Sequence, residues 1–349
     1  MIVNIRPRMA KNKHKDSSFL AYYCLLNLEC CICPIARDNR LSIRSHVGQR
    51  RDVETLAALL RGFASTYGIS GAEIAVKTPV TGVRVFGASE PISRRPLLYD
   101  SGIIIIGQGH KVGYLGGESF RYDAGSYLVV SVPIPFEVET HASADEPLLG
   151  ISIDVNPNVL RDLILTIGSD LALENCIVNG PVPRAVEPVG LDAKMANAVE
   201  RLVMCLQDPL ESKALGQGIV NEILFRVLLG SHGRVLRMLS EQHTPYARVA
   251  RSLALIHAEY ATPLDVPALA RIAAMSPSAF HRAFKQVTGE SPIQYVKHIR
   301  LHRAHALLAQ VGLKAGTAAV QVGYSSPSQF SREFKRYFGA SPSDVRRAC

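Results

Sequence analysis

Two short stretches of this 349-residue chain carry, at matching offsets, side chains suited to gripping a ligand. Ser278, His281 and Arg282 stand at helical spacing in one, and Ser328, Gln329 and Arg332 stand in the other. Arginine offers a planar fork that can hold a guanine edge with two hydrogen bonds, and glutamine can do the same for adenine. Hydroxyl and imidazole groups donate or accept. Lys285, Lys335 and Arg336 follow within a turn and suit phosphate. Such a set recognises; it does not make or break bonds. The plain alternative is a solvated basic face on an amphipathic helix.

The elements that must position these groups are written twice. Ser276 to Pro292 reads SPSAFHRAFKQVTGESP, and Ser326 to Pro342 reads SPSQFSREFKRYFGASP. In the second copy Ser326 is a cap, Pro327 suits the first helical position, and Gln329 falls where it can reach back to the cap. Phe330, Phe334 and Phe338 recur every fourth residue and give a buried aromatic stripe, and Gly339 ends the helix. Each copy follows a short helix of small residues, Val266 to Ala274 and Ala315 to Val322. The pattern is a helix-turn-helix repeated. Pro292 to Ala309 reads as a connecting helix about 27 Å long. Such a spacer could set two recognition helices about one DNA turn, about 34 Å, apart.

These residues resemble the AraC/XylS family of bacterial transcription regulators. The first unit carries the resemblance through Leu269-Ala270, Ala273, Met275-Ser276, Phe280, Arg282 and Phe284. The second carries it through Val322-Gly323-Tyr324, Ser326, Phe330, Arg332, Phe334-Lys335, Phe338-Gly339 and Ser341-Pro342. The resemblance implies double-stranded DNA as partner, with Ser278, His281, Arg282, Ser328, Gln329 and Arg332 at base edges. It implies Ser276, Lys285, Arg300, Ser326, Lys335 and Arg336 at phosphates. It also implies an activator that meets RNA polymerase and answers to a small-molecule effector, working in the cytoplasm. Gln329 has a second reading, completion of the cap with Ser326. Arg282 and Arg332 share one place in both repeats, which also fits a common phosphate or structural role. One departure is Gly316, Thr317 and Ala318, where the family has larger apolar residues. Glycine inside a helix costs about 1 kcal/mol relative to alanine.

Charge is segregated along the chain. Residues 246–349 hold 14 Lys and Arg against 5 Asp and Glu, whereas residues 51–245 hold 16 against 22. A basic part joined to a mildly acidic one points to a polyanion partner for the basic part only. Residues 1–48 are atypical: five cations (Arg6, Arg8, Lys11, Lys13, Lys15) precede an apolar run, Phe19 to Leu28. That run is too short to span a membrane, and no clean cleavage site follows. The segment reads as an extension beyond the working protein, from a start codon placed too early. Cys24, Cys30, Cys31 and Cys33 match no zinc spacing, and scattered Cys176, Cys205 and Cys349 fit a reducing compartment.

Asp52 to Tyr67 reads as a helix; from Ala72 to Asp154 short apolar runs alternate with Gly, Pro and Asp turns. Many short strands at that spacing give a small barrel or jelly roll. The segments LLYDSGIIIIGQG and LGGESFRYDAGSYLVVSVPIPFEVE resemble the cupin-like N-terminal domain of one branch of the family. The expected fold is therefore α+β: a cupin-like β-barrel with a helical hairpin, then an all-α double helix-turn-helix domain. The boundaries expected are 1–48 for the extension, 49–230 for the barrel and hairpin, 231–245 for a linker, and 246–349 for the DNA-binding part.

Metal-binding cupins carry a His-x-His pair, but Lys111 and Val112 follow His110, so no metal and no cofactor is expected. An apolar ligand in the barrel mouth could meet Tyr99, Gln108, His110, Tyr127 and Glu137, although each also reads as an ordinary strand residue. Helices Asn156 to Ile167, Leu191 to Gln207 and Leu210 to Leu229 follow, and the last two form a hairpin that could serve a homodimer. His298, His302 and His305 share a face of the connecting helix and read as a solvated or DNA-facing basic surface. Serine-nucleophile and phosphate-loop patterns are absent, which argues against an enzyme. Two rival readings stay open, a redox- or metal-responsive regulator and a barrel enzyme fused to a DNA anchor.

Overall fold

The computed structural model describes residues 55–71, 73–167, 185–230, 233–240 and 243–347. The N-terminal extension, its four cysteines, Asp52, Cys176 and Cys349 lie outside the described residues.

Helix α1 (55–67) precedes a run of antiparallel strands. These are β1 (Ile74–Lys77), β2 (Val83–Ala88), β3 (Ile92–Tyr99), β4 (Gly102–Gln108), β5 (His110–Leu115), β6 (Glu118–Asp123), β7 (Ser126–Val130), β8 (Ile134–His141) and β9 (Leu148–Asp154). Helix α2 (Pro157–Ile167) follows, then β10 (Val186–Gly190), α3 (Ala193–Cys205), α4 (Pro209–Ala214), α5 (Gly216–Leu229) and α6 (Gly233–Ser240). One sheet has the order β1-β2-β9-β4-β7-β10 and the other β3-β8-β5-β6.

Side-chain alternation gives the larger sheet two apolar faces. Ile103 and Ile105 of β4 pack outward on Leu60 and Phe63 of α1, Val199 and Leu202 of α3, and Ile223 and Val227 of α5. Ile104 and Ile106 point into the barrel with Phe86, Tyr122, Leu128 and Phe136. The unbroken run Ile103 to Ile106 follows from a strand covered on both faces.

Three expectations need correction. The Pro-rich connector contains β10, which pairs with β7 at the sheet edge, where Pro188 removes no needed ladder bond. Leu210 to Leu229 is two helices, interrupted at Leu215, where φ is −112°; Gly216 after it passes so near Val80 that an added Cβ would sit 2.3 Å from Val80 Cγ2. The expected linker carries α6, whose Leu236 joins the core behind the larger sheet while Val235 joins the barrel core.

The C-terminal part comprises α7 (Pro245–Glu259), α8 (Val266–Ile272), α9 (Pro277–Thr288), α10 (Pro292–Gln310), α11 (Ala315–Gln321), α12 (Pro327–Phe338) and α13 (Pro342–Arg347). Capping explains most of these bounds. Thr244, Asp265, Ser276, Ser291 and Ser326 each accept a backbone N–H of the following turn, with proline at the first or second helical position. Gly289 and Gly339 end α9 and α12 in the left-handed region, at φ 77° and 76°. Asp344 and Ser341 close a reciprocal box at α13.

The first unit is fused to the barrel core. Tyr246, Leu253, Phe280, Phe284 and Tyr295 belong to the same buried cluster as Phe86, Leu128 and Phe136. Tyr295 donates its hydroxyl hydrogen to the Pro133 carbonyl at 2.5 Å, so His257 Nε2, 2.8 Å away, must donate to Tyr295. Burial lowers the His257 pKa to about 4, which keeps the ring neutral for that role. Ser131 and Tyr246 bond through their hydroxyls across the same junction. The second unit has its own small cluster of Leu301, Ala304, Leu308, Ala318, Ala319, Val322, Tyr324, Phe330 and Phe334.

Gly316 lies in α11 with nothing within 4 Å of a Cβ built on it. Gly316→Ala should therefore stabilise the second unit by about 0.5–1 kcal/mol. Amide hydrogen exchange of α11 and α12 checks this; unchanged or faster exchange would contradict it.

Candidate functional site

The two recognition helices present the same architecture. In α9, Phe280 and Phe284 are buried, while Ser276, Ser278, His281, Arg282 and Lys285 are exposed. In α12, Phe330 and Phe334 are buried, while Ser328, Gln329, Arg332, Lys335 and Arg336 are exposed. No ion pair among the described residues engages Arg282, Lys285, Arg332, Lys335 or Arg336, whereas Lys297 is held by Glu333 at 3.2 Å. The outer faces thus keep cationic and hydrogen-bonding groups available, and the aromatic undersides fix the rotation of each helix.

Gln329 does not reach back to its cap. Its backbone N–H donates to Ser326 Oγ at 3.3 Å, and its side-chain amide donates to Glu333 Oε1 at 3.1 Å. Ser276 and Ser326 keep their oxygens on cap N–H groups.

Arg300 stands apart from the phosphate set. Its guanidinium donates to the carbonyls of Tyr260 at 2.7 Å, Thr262 at 2.8 Å and Gly323 at 3.3 Å. Those bonds tie the end of α7 to the turn of the second unit, so Arg300 is a structural clamp. The histidine face of α10 is also not a DNA-facing surface. His298 stacks on Tyr337 with ring centroids 4.3 Å apart and pairs with Glu290 at 2.8 Å. His302 meets the Tyr337 hydroxyl at 3.1 Å, and His305 packs on Phe338. Burial, with the charges of His298, His305 and Arg303, drives the His302 pKa to about 3. The neutral His302 ring carries no charge to offer a phosphate, and its Nε2 is already engaged by the Tyr337 hydroxyl.

The five expected pocket residues do not converge. Tyr127 sits opposite Ile105 in the β4–β7 register and faces the helix layer, where burial pushes its pKa up to about 12. His110 stacks on His141, and Glu137 pairs with Arg94, both on the outer face of the smaller sheet. Gln108 is buried, and its Oε1 has no partner among the described residues. Tyr99 alone lines the barrel cavity of about 290 Å³, with Phe86, Leu97, Ile104, Glu73 and Lys111 also on its wall.

Lys111 is the residue that sequence reasoning passed over. It is adjacent to His110, and alternation along β5 turns it inward, where it is 3% exposed. Glu73 binds its ammonium group. Burial opposes the charge, but Tyr99 and Glu73 outweigh it and hold the Lys111 pKa above the ordinary lysine value. Burial likewise opposes ionisation of Glu73, and Lys111 with Arg95 outweighs it, so the Glu73 pKa lies below its ordinary value. A cation inside an apolar run that still reads as strand was the available signal.

Two family models match the chain: the AraC-type transcriptional regulator N-terminus over residues 79–235, and a helix-turn-helix domain over residues 269–348. The chain belongs to the AraC-type transcriptional regulators. As in that family, an N-terminal regulatory domain is followed by a DNA-binding helix-turn-helix domain, and the chain is a DNA-binding transcription regulator. Solved structures of ToxT from Vibrio cholerae share the AraC-type fold. One, with unsaturated fatty acid bound, is 13% identical with a TM-score of 0.50, covering 76% of this chain and 94% of ToxT. An apo form is also 13% identical with a TM-score of 0.50, covering 78% and 99%. The C-terminal domain of AraT from Geobacillus stearothermophilus is 31% identical with a TM-score of 0.28, over 29% of this chain and 85% of that one. The comparison with curated proteins returned no match. Among the described residues no helix of this AraC-type chain is long and apolar enough to cross a membrane.

Proposed function

We propose that this regulator reads double-stranded DNA with α9 and α12 and is controlled by an acidic, apolar small molecule in the barrel. Ser278, His281, Arg282, Ser328, Gln329 and Arg332 meet base edges; Ser276, Lys285, Ser326, Lys335 and Arg336 hold phosphates. The observation that carries the DNA reading is the matched pair of helices, each with two buried phenylalanines beneath an exposed cationic face. Binding-site selection on the full-length chain tests it. Arg332→Ala should relax preference at one or two base pairs, at a cost of about 1–3 kcal/mol, whereas Lys335→Ala should weaken all sequences about equally. Unchanged base preference with a smaller salt slope would move Arg332 to the phosphate set.

The ligand reading rests on Lys111, a buried cation on the wall of a cavity that Phe86, Leu97 and Ile104 also line. A carboxylate satisfies such a cation, and an aliphatic or aromatic tail fills the space beside Phe86, Leu97 and Ile104. ToxT, whose fold this chain shares, has been solved with an unsaturated fatty acid bound. The chain works as an activator that engages RNA polymerase.

It also acts as a homodimer. Met204 of α3 and Leu215 beside α5 are each 55% exposed and border a shared hollow with Ile219. Leu215→Glu should convert the dimer to monomer in sedimentation equilibrium without lowering the melting temperature. A dimer that persists would locate its interface elsewhere.

A further inference from the structure

Glu73 already occupies the place on Lys111 that the head of an acidic ligand would take. Its Oε1 binds the Lys111 ammonium while its Oε2 accepts from Arg95 Nη2 at 2.9 Å. The other cation on the cavity wall, Arg84, is closed by Asp154 at 2.5 Å. Those two residues stand on neighbouring strands in fixed register, Val83 opposite Ile153 and Arg84 opposite Ser152. Glu73 is different, because it precedes β1, a four-residue edge strand with a mostly exposed surface that pairs with β2 alone. Short edge strands with few buried contacts are the segments that open first. Gly71 is pinned to Ser89 by bonds of 2.7 and 2.9 Å, which bounds the segment that can leave.

We propose that Glu73 is an exchangeable counterion: a monocarboxylate with an apolar tail displaces it from Lys111, and β1 is released from β2. The exchange rests on the cavity being the effector site. Two carboxylates brought onto one buried ammonium repel each other, so Glu73 and the ligand carboxylate exclude one another at Lys111. A neutral ligand of the same shape fills the cavity but leaves Glu73 in place. The exchange also reaches the DNA-binding part. Arg95 lies on β3, which packs against α10 and α12, and its charge is felt by His305 of α10. Losing Glu73 from Arg95 changes the charge that the barrel presents to those helices. Affinity for the acid and for DNA are then linked reciprocally.

Calorimetric titration of the full-length chain with octanoate and with 1-octanol tests the exchange. Glu73→Gln removes the internal competitor, so octanoate should bind about tenfold more tightly while 1-octanol is unaffected. Lys111→Met should lose at least about tenfold for octanoate and none for 1-octanol. If Lys111→Met does not fold, Glu73→Gln with Lys111→Met leaves no buried charge unpaired and carries the same test. Amide exchange supplies the second readout: octanoate, and not 1-octanol, should speed exchange across β1. If Glu73→Gln binds octanoate no more tightly than the parent, or β1 exchange is unchanged by octanoate, the counterion exchange is overturned and the cavity reading stands. If Lys111→Met binds octanoate as the parent does, the cavity reading itself fails.

Discussion

DNA affinity of the full-length chain should fall roughly 40- to 500-fold between 50 and 200 mM monovalent salt. The range comes from counting cations that the structure leaves available. Lys285, Lys335 and Arg336 are exposed beside the recognition faces and carry no ion pair among the described residues. Three phosphate contacts give a slope of log affinity against log salt of about −2.7. Arg282 and Arg332 each add about −0.9 if they grip phosphate, bringing the slope to about −4.5, and add little if they read guanine. The slope therefore discriminates between the two roles that the repeat leaves open for these arginines. Arg300 is left out of the count because three carbonyls hold its guanidinium. Fluorescence anisotropy on the preferred operator measures the slope. A value near zero would remove the phosphate grip altogether.

Phe334→Ala should cost about 3–5 kcal/mol and unfold the second unit while leaving the first in place. The cluster around Phe334 holds nine buried residues, three of them alanines, and shares none with the barrel core. The equivalent Phe284 belongs to the continuous core that runs through α7, α9 and α10 into the barrel. Phe284→Ala should therefore weaken barrel and first unit together, although the substitution is the same. Hydrogen exchange distinguishes the outcomes: Phe334→Ala should strip protection from α11, α12 and α13 and spare α7 and α9. DNA affinity should drop to what one recognition helix supplies. Uniform loss of protection in Phe334→Ala would show instead that the two units unfold as one body.

Much of the DNA-binding half was legible in the residues alone. Serine followed by proline fixes where α9 and α12 begin, and Gly289 and Gly339 fix where they end, because a cap oxygen and a left-handed residue act within one turn. Phenylalanine at every fourth position fixes which face is buried. These are local determinants, and the exposed set Ser278, Arg282, Ser328 and Arg332 follows from them.

Tertiary structure decided what local pattern leaves open. Arg300 and the α10 histidines look like a basic face in the sequence, yet the carbonyls of Tyr260, Thr262 and Gly323 and the ring of Tyr337 come from elements distant in the chain. In the barrel, a single step along β5 separates His110, which faces outward, from Lys111, which faces the cavity. Alternation is visible in a sequence, but which of its two phases points inward depends on how the sheets close. The partner of Lys111 was equally hidden, because Glu73 precedes a different strand and meets it only when the barrel forms. The sequence by itself thus determined a paired DNA-reading module and a small β-barrel. Only the folded chain determined that the first unit shares its core with that barrel, since burial against a distant surface leaves no periodicity that separates it from burial within a helix bundle.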